Sequence, residues 1–182
     1  MRDVSYRSFQ RSDGLWDIEG ELVDRKHQDI FLHGERKIAA HSPIHHMLIR
    51  ATIDNRLEIH AIEAVIERHP LDECPEAAQS LQKMVGQRMS RGWRKAIADN
   101  LGGVGSCTHL RELLFNMATA AHQTMHGAFQ SEDESKPPAY LGQCLGWDFE
   151  GPAVAIYYPQ FVGYERKTKA LEAIKIEVVS GK

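Results

Sequence analysis

Two of the three cysteines in this chain stand where chemistry is easiest to do. Cys74 opens "CPEAAQSLQKMVG" and Cys107 opens "CTHLRELLFNMATAA", both runs with helical spacing of apolar residues. A helix start has unpaired N–H groups and the positive end of the helix dipole. Both favour a thiolate over a thiol, and the thiolate is the form that binds a metal or attacks an electrophile. His109 follows two residues after Cys107. Three readings follow: a thiolate/imidazole metal site, a thiol enzyme with Cys107 as nucleophile and His109 as base or orienter, and a metal-free interaction module whose cysteines are core packing. Elemental analysis separates the first from the others, and thiol alkylation at Cys107 separates the second from the third. Cys144, in "LGQCLGWDF", is either a third sulfur at the site or an apolar filler.

Imidazoles come from a second place. His45 and His46 are neighbours in "IHHMLIRATID", which alternates as a strand does, so they point to opposite faces. His45 shares parity with Met47, Ile49, Ala51 and Ile53, the apolar face. His46 shares parity with Arg50, Thr52 and Asp54. His45 is therefore the one expected to face the helices. Its expected companion is His109, whose ring can swing back over the helix mouth if Thr108 is the cap, less so if Ser106 is. The candidate metal ligands are Cys74, Cys107, His45 and His109.

These side chains need a frame. "LWDIEGELVDR" at 15–25 and "IHHMLIRATID" at 44–54 read as strands. "RLEIHAIEAVIE" reads as a third, with Leu57, Ile59 and Ala61 on one face. Asp54-Asn55 is a turn pair that makes the last two a hairpin. A helix follows Cys74, with Pro75 at its first position and Ala77, Ala78, Leu81, Met84, Val85 and Met89 along one stripe. "RGWRKAIADNLGG" is a short helix stopped at Gly102 and Gly103. The last helix carries Leu110, Leu113, Leu114, Met117, Ala118, Ala121 and Met125. "SEDESKPP" at 131–138 is a polar linker, and "VAIYYP" and "AIKIEVV" beyond it read as strands. Strands first and helices after indicate α+β. The expected organisation is one domain over 1–130 with its core at 44–126. Residues 131–182 form a linker and an extension packing on it.

Composition narrows the classes. Hydrophobic content of 42% and charged content of 26% are ordinary for a globular domain. A net charge of -3 gives no basic footprint for nucleic acid. No apolar run reaches the roughly 20 residues needed to span a membrane, and the N-terminus has no secretory signal. The expected location is the cytosol, with a protein partner possible. An odd cysteine count there argues for reduced thiols. There is no G-x-S-x-G, no nucleotide-phosphate loop and no dinucleotide fingerprint.

The order of parts resembles the U-type iron–sulfur scaffold proteins over residues 44–126. In that family strands are followed by a cysteine that opens a helix, and a second cysteine begins the last helix. The resemblance implies a small antiparallel sheet with a helical half, and metal ligation by Cys74 and Cys107. The family's first cysteine precedes the strand that here begins near Ile44, where this chain offers His45 and His46 instead. The family's histidine before its last cysteine is Ser106 here, and His109 follows. Imidazole in place of thiolate favours Zn2+ over a labile cluster, with an iron–sulfur cluster or no metal as the alternatives. The stretches "GLWDIEGELVDRK", "HHMLIRATID" and "CTHLRELL" also resemble an uncharacterised bacterial domain family of unknown function.

Overall fold

A computed structural model describes residues 1–32, 36–125 and 135–165. The chain divides into two compact units, Met1–Phe129 and Gln130–Lys182. In the first, β1 (Arg2–Gln10), β2 (Trp16–Arg25), β5 (Pro43–Ile53) and β6 (Ile59–Arg68) form an antiparallel sheet in the order β1-β2-β5-β6. The short strands β3 (Ile30–Phe31) and β4 (Lys37–Ile38) pair as a separate ribbon between β2 and β5 in sequence. The expected α+β class, strands then helices, is the observed one.

The inner face of the sheet follows from alternation. Ile18, Gly20, Leu22 and Asp24 of β2 stand on it beside Met47, Ile49, Ala51 and Ile53 of β5, their register partners in reverse order being Ala51, Ile49, Met47 and His45. The four apolar residues of β5 are at most 1% exposed. The expected hairpin is present. Asp54 Oδ1 accepts the N–H groups of Arg56 and Glu58, and Leu57 turns the chain at φ 63°. The expected period along the third strand fails at Ala61. The register slips between Thr52 and Ile53, so Ile53 faces Ile59 while Thr52 faces Ala61. One extra residue, His60, is accommodated in β6, and a bulge of this kind flips the side chains that follow, here as far as a second slip between His46 and Met47. Ala61 is exposed and Ile62 is buried in its stead.

Helices cover that inner face. The segment after Cys74 is a chain of short pieces rather than one helix. A 3-10 turn at Cys74–Glu76 is followed by α1 (Ala77–Ser80) and a second 3-10 turn at Leu81–Met84. Pro75 does occupy the first turn. The helical run stops at Val85, which is extended, and Gly86 at φ 81°, a conformation glycine adopts without steric cost. Met89 is therefore buried from a bridging strand-like stretch, its N–H on the Leu57 carbonyl, and not from a helical stripe. Next come α2 (Trp93–Leu101) and α3 (Thr108–Thr124). Leu110, Leu113, Leu114, Met117 and Ala121 of α3 are all at most 1% exposed. The helix lies against the sheet at Gly20, where an added Cβ would lie 3.1 Å from Tyr6 Cε1 and 3.2 Å from Leu113. Among the described residues, no helix is long and apolar enough to cross a membrane.

In the second unit, "VAIYYP" is helical where a strand was expected. Pro152 begins α4 (Pro152–Tyr157) after an extended Gly151. The proline ring fixes φ for a first helical turn, which outweighs the β preference of the residues that follow. Leu141, Val154 and Phe161 form a small core flanked by Tyr140, Trp147, Phe149 and Tyr158. Burial and the Tyr158 hydroxyl push the Tyr140 phenol up to about 12. The expected "AIKIEVV" strand and the first half of the 131–138 linker lie outside the described residues.

Candidate functional site

At one end of the inner face the row changes from apolar to charged. Arg2 of β1 is opposite Asp24 of β2, and Asp24 is opposite His45 of β5. Direct partners across antiparallel strands share a face at about 5 Å, so three polar side chains meet in a line. Arg2 Nε and Nη2 donate to the two Asp24 oxygens at 2.7 and 2.8 Å. His45 Nδ1 lies 3.1 Å from Asp24 Oδ2. Arg2 also donates to Glu112 of α3 at 2.9 Å, which ties the helix to this end of the sheet. The Asp24 carboxyl is held below its ordinary range. Arg2's hydrogen bonds are the largest cause, partial burial opposes them, and His45 adds to the lowering.

The first turn of α3 lies over this row. Cys107 is itself the N-cap residue, extended at φ -92°, ψ 133°, where Ser106 or Thr108 was expected. Its carbonyl accepts the Arg111 N–H at 3.1 Å. His109 is the second residue of the helix, and its ring reaches both ways. Nδ1 is 3.7 Å from Cys107 Sγ, and Nε2 is 3.6 Å from Asp24 Oδ2. The His45 and His109 rings are 4.0 Å apart at their centroids and tilted by 36°. The Cys107 thiol lies below its ordinary value. Burial, the largest influence, pushes it up. The His109 ring and the backbone N–H groups of Leu110 and His109 together push it down further.

Proton positions follow from the carboxylate. An ionised Asp24 only accepts hydrogen bonds. His45 therefore presents Nδ1–H to it. His109 meets the same oxygen through Nε2, which favours a proton there and leaves the Nδ1 lone pair toward Cys107. The arrangement is thiol, imidazole, carboxylate and guanidinium in sequence, the order in which a base is oriented by a third group. Asp24, His45 and His109 side chains are 16%, 17% and 25% exposed, so the cluster is partly buried and still touches solvent.

Of the four residues expected to share a site, His45, Cys107 and His109 are brought together and Cys74 is in no such contact. Among the described residues, the group of three or more ligand-type side chains with all ligand atoms within 4.8 Å is Asp24, His45 and His109. Neither sulfur belongs to it. Cys74 is half-buried at the 3-10 turn after β6, and Cys144 is exposed in the second unit. His46 points to the outer face, at 2.8 Å from both Glu21 and Glu67. Sequence reasoning missed Arg2, Asp24 and Glu112. Asp24 had a signal: it shares parity with Ile18 and Leu22, so an acidic residue stood on an apolar face.

Neither a curated protein nor a solved structure matches the chain. A family model does, over residues 1–123, a span that holds every residue of the cluster. The chain belongs to the family described as "Protein of unknown function (DUF2889)".

Proposed function

We propose that this domain is a thiol protein in which Cys107 is the reacting group. The observation that carries the reading is the placement of one imidazole, His109, between the Cys107 sulfur and the Asp24 carboxylate. His109 accepts the thiol proton at Nδ1, and Asp24, fixed by Arg2, stabilises the resulting imidazolium. The helix N-terminus stabilises the thiolate. The chemistry that suits this set is attack on a soft electrophile, for example acceptance of a sulfane sulfur. Cys107 Sγ would bond to the terminal sulfur of a donor persulfide as the donor's own S–S bond breaks. The released donor thiolate would then take the proton from His109. The reaction requires a reduced thiol, in keeping with a cytosolic setting. Residue-resolved alkylation by iodoacetamide as a function of pH tests the reading. Cys107 should react at lower pH than Cys74 and Cys144, and a Cys107 profile no different from theirs would sink it.

A second reading rests on a different observation, the mutual approach of Asp24, His45 and His109 within 4.8 Å. Two imidazoles and a carboxylate are a donor set that suits zinc or ferrous iron. Three protein ligands with an open position are the pattern of a reactive metal site. An iron–sulfur cluster, as the U-type resemblance implies, is ill matched to oxygen and nitrogen donors, since such clusters are held by thiolates. Arg2 counts against a cation here, because both Asp24 oxygens already accept its N–H groups. Metal analysis of protein purified without chelator or His-tag tests this reading. Stoichiometric zinc or iron that is lost in His45→Ala and His109→Ala would favour it over the thiol reading.

A further inference from the structure

Between α2 and α3 lies a groove of about 450 Å³. Its floor is apolar, from Ile97, Ala98 and Phe115, and its rim carries Arg94, Arg111 and Glu112. That volume is in the range of small-ligand sites, which pair an apolar lining with a few polar groups. The charges on the rim do not cancel. Glu112 turns to Arg2 at 2.9 Å, which it shares with Asp24. Among the described residues, neither Arg94 nor Arg111 forms an ion pair with a carboxylate. Arg111 is held by the Leu101 and Gly103 carbonyls and by Thr108 Oγ1, all neutral acceptors. Arg94 lies 4.5 Å over the Phe115 ring. Stacking uses the face of a guanidinium and leaves the N–H groups on its edge to meet an anion. A chain of net charge -3 thus keeps an excess of positive charge, two guanidinium groups against one carboxylate, beside one apolar groove.

We propose that this groove binds a small organic anion, with an apolar ring or chain against Ile97 and Phe115 and a carboxylate or sulfonate between Arg94 and Arg111. None of Cys107, His109, His45 and Asp24 lines the groove.

The test compares two fluorescent probes on the full chain. One is 8-anilinonaphthalene-1-sulfonate, and the other is its uncharged analogue N-phenyl-1-naphthylamine. The anion should bind saturably and about tenfold more tightly than the neutral probe, as expected for a charge-assisted contact. Arg94→Gln should remove most of that difference. Ala98→Trp fills the groove from an exposed lining position and should abolish binding of both probes. Circular dichroism confirms that each variant is folded, and if Ala98→Trp is not, Arg94→Gln decides alone. Equal affinity for the two probes, or anion binding unchanged in Arg94→Gln or in a folded Ala98→Trp, would overturn the proposal.

Discussion

Asp24 and His109 face each other at 3.6 Å, Oδ2 to Nε2, from the second strand and the last helix of the main unit. Neither residue has chemistry of its own at that distance without the groups behind it. Arg2 makes Asp24 an anion with a fixed orientation, and the helix start places Cys107 on the far side of His109. The relay therefore makes distinct predictions for its members.

Reactivity at Cys107 should move with His109. In the parent protein alkylation should begin below the ordinary thiol range, because the net effect on Cys107 is a lowered value. His109→Ala removes the largest of the lowering influences and should shift the alkylation profile to higher pH. His109→Gln, which can donate but cannot take a proton, should shift it as well. Peptide-level mass spectrometry after pulsed iodoacetamide reads the result.

Asp24→Asn keeps the shape and removes the charge. It leaves Arg2 with Glu112 alone and His45 without a carboxylate, and should cost roughly 1–2 kcal/mol at neutral pH, allowing for the partial exposure of Arg2. The sign with pH is set by the lowered Asp24 value. A carboxylate with a depressed folded value adds stability above its unfolded value, and that stability is lost as pH falls through the folded one. The stability curves of Asp24→Asn and the parent should therefore meet in acid, below the ordinary carboxylate value of 3.8. Urea melts at a series of pH values provide the measurement, and a gap that persists into acid would contradict the relay.

The two strand histidines should separate cleanly. His45 contacts Asp24 and stacks beside His109, whereas His46 is held by Glu21 and Glu67 on the other face. His45→Ala should change the Cys107 alkylation rate and His46→Ala should leave it alone. A response to His46→Ala only would mean the strand is in the other register.

Gly20 of β2 lies against Leu113 of α3. Gly20→Ala places a methyl 3.1–3.2 Å from Tyr6 and Leu113 and should destabilise the domain by about 1–3 kcal/mol, as overpacking does. Thermal unfolding gives the number. Because α3 carries His109, the variant should also slow or speed Cys107 alkylation, whereas Ile53→Ala, buried at the far end of β5 from His45, should lower stability with Cys107 chemistry unchanged.

What the residues alone determined was periodicity and its direct consequences. Met47, Ile49, Ala51 and Ile53 marked the inner face of β5, and that parity put His45 inside and His46 outside. The stripe from Leu110 to Met125 marked α3, because packing needs a continuous apolar face and local spacing records it. Cys107 next to His109 was visible for the same local reason. What only the tertiary structure decided was non-local or sub-residue in scale. The bulge opposite Thr52 cannot be read from alternation, since one inserted residue leaves the composition of β6 unchanged. The helix expected from Cys74 to Met89 ends at an extended Val85 and a left-handed Gly86, so Met84 and Met89 are buried from separate segments. Arg2, Asp24 and His45 meet because antiparallel register sets them opposite one another, and register is a property of three strands together. His109 reaches Asp24 only once α3 is laid across that row with Gly20 beneath it, and no spacing along the chain encodes the distance.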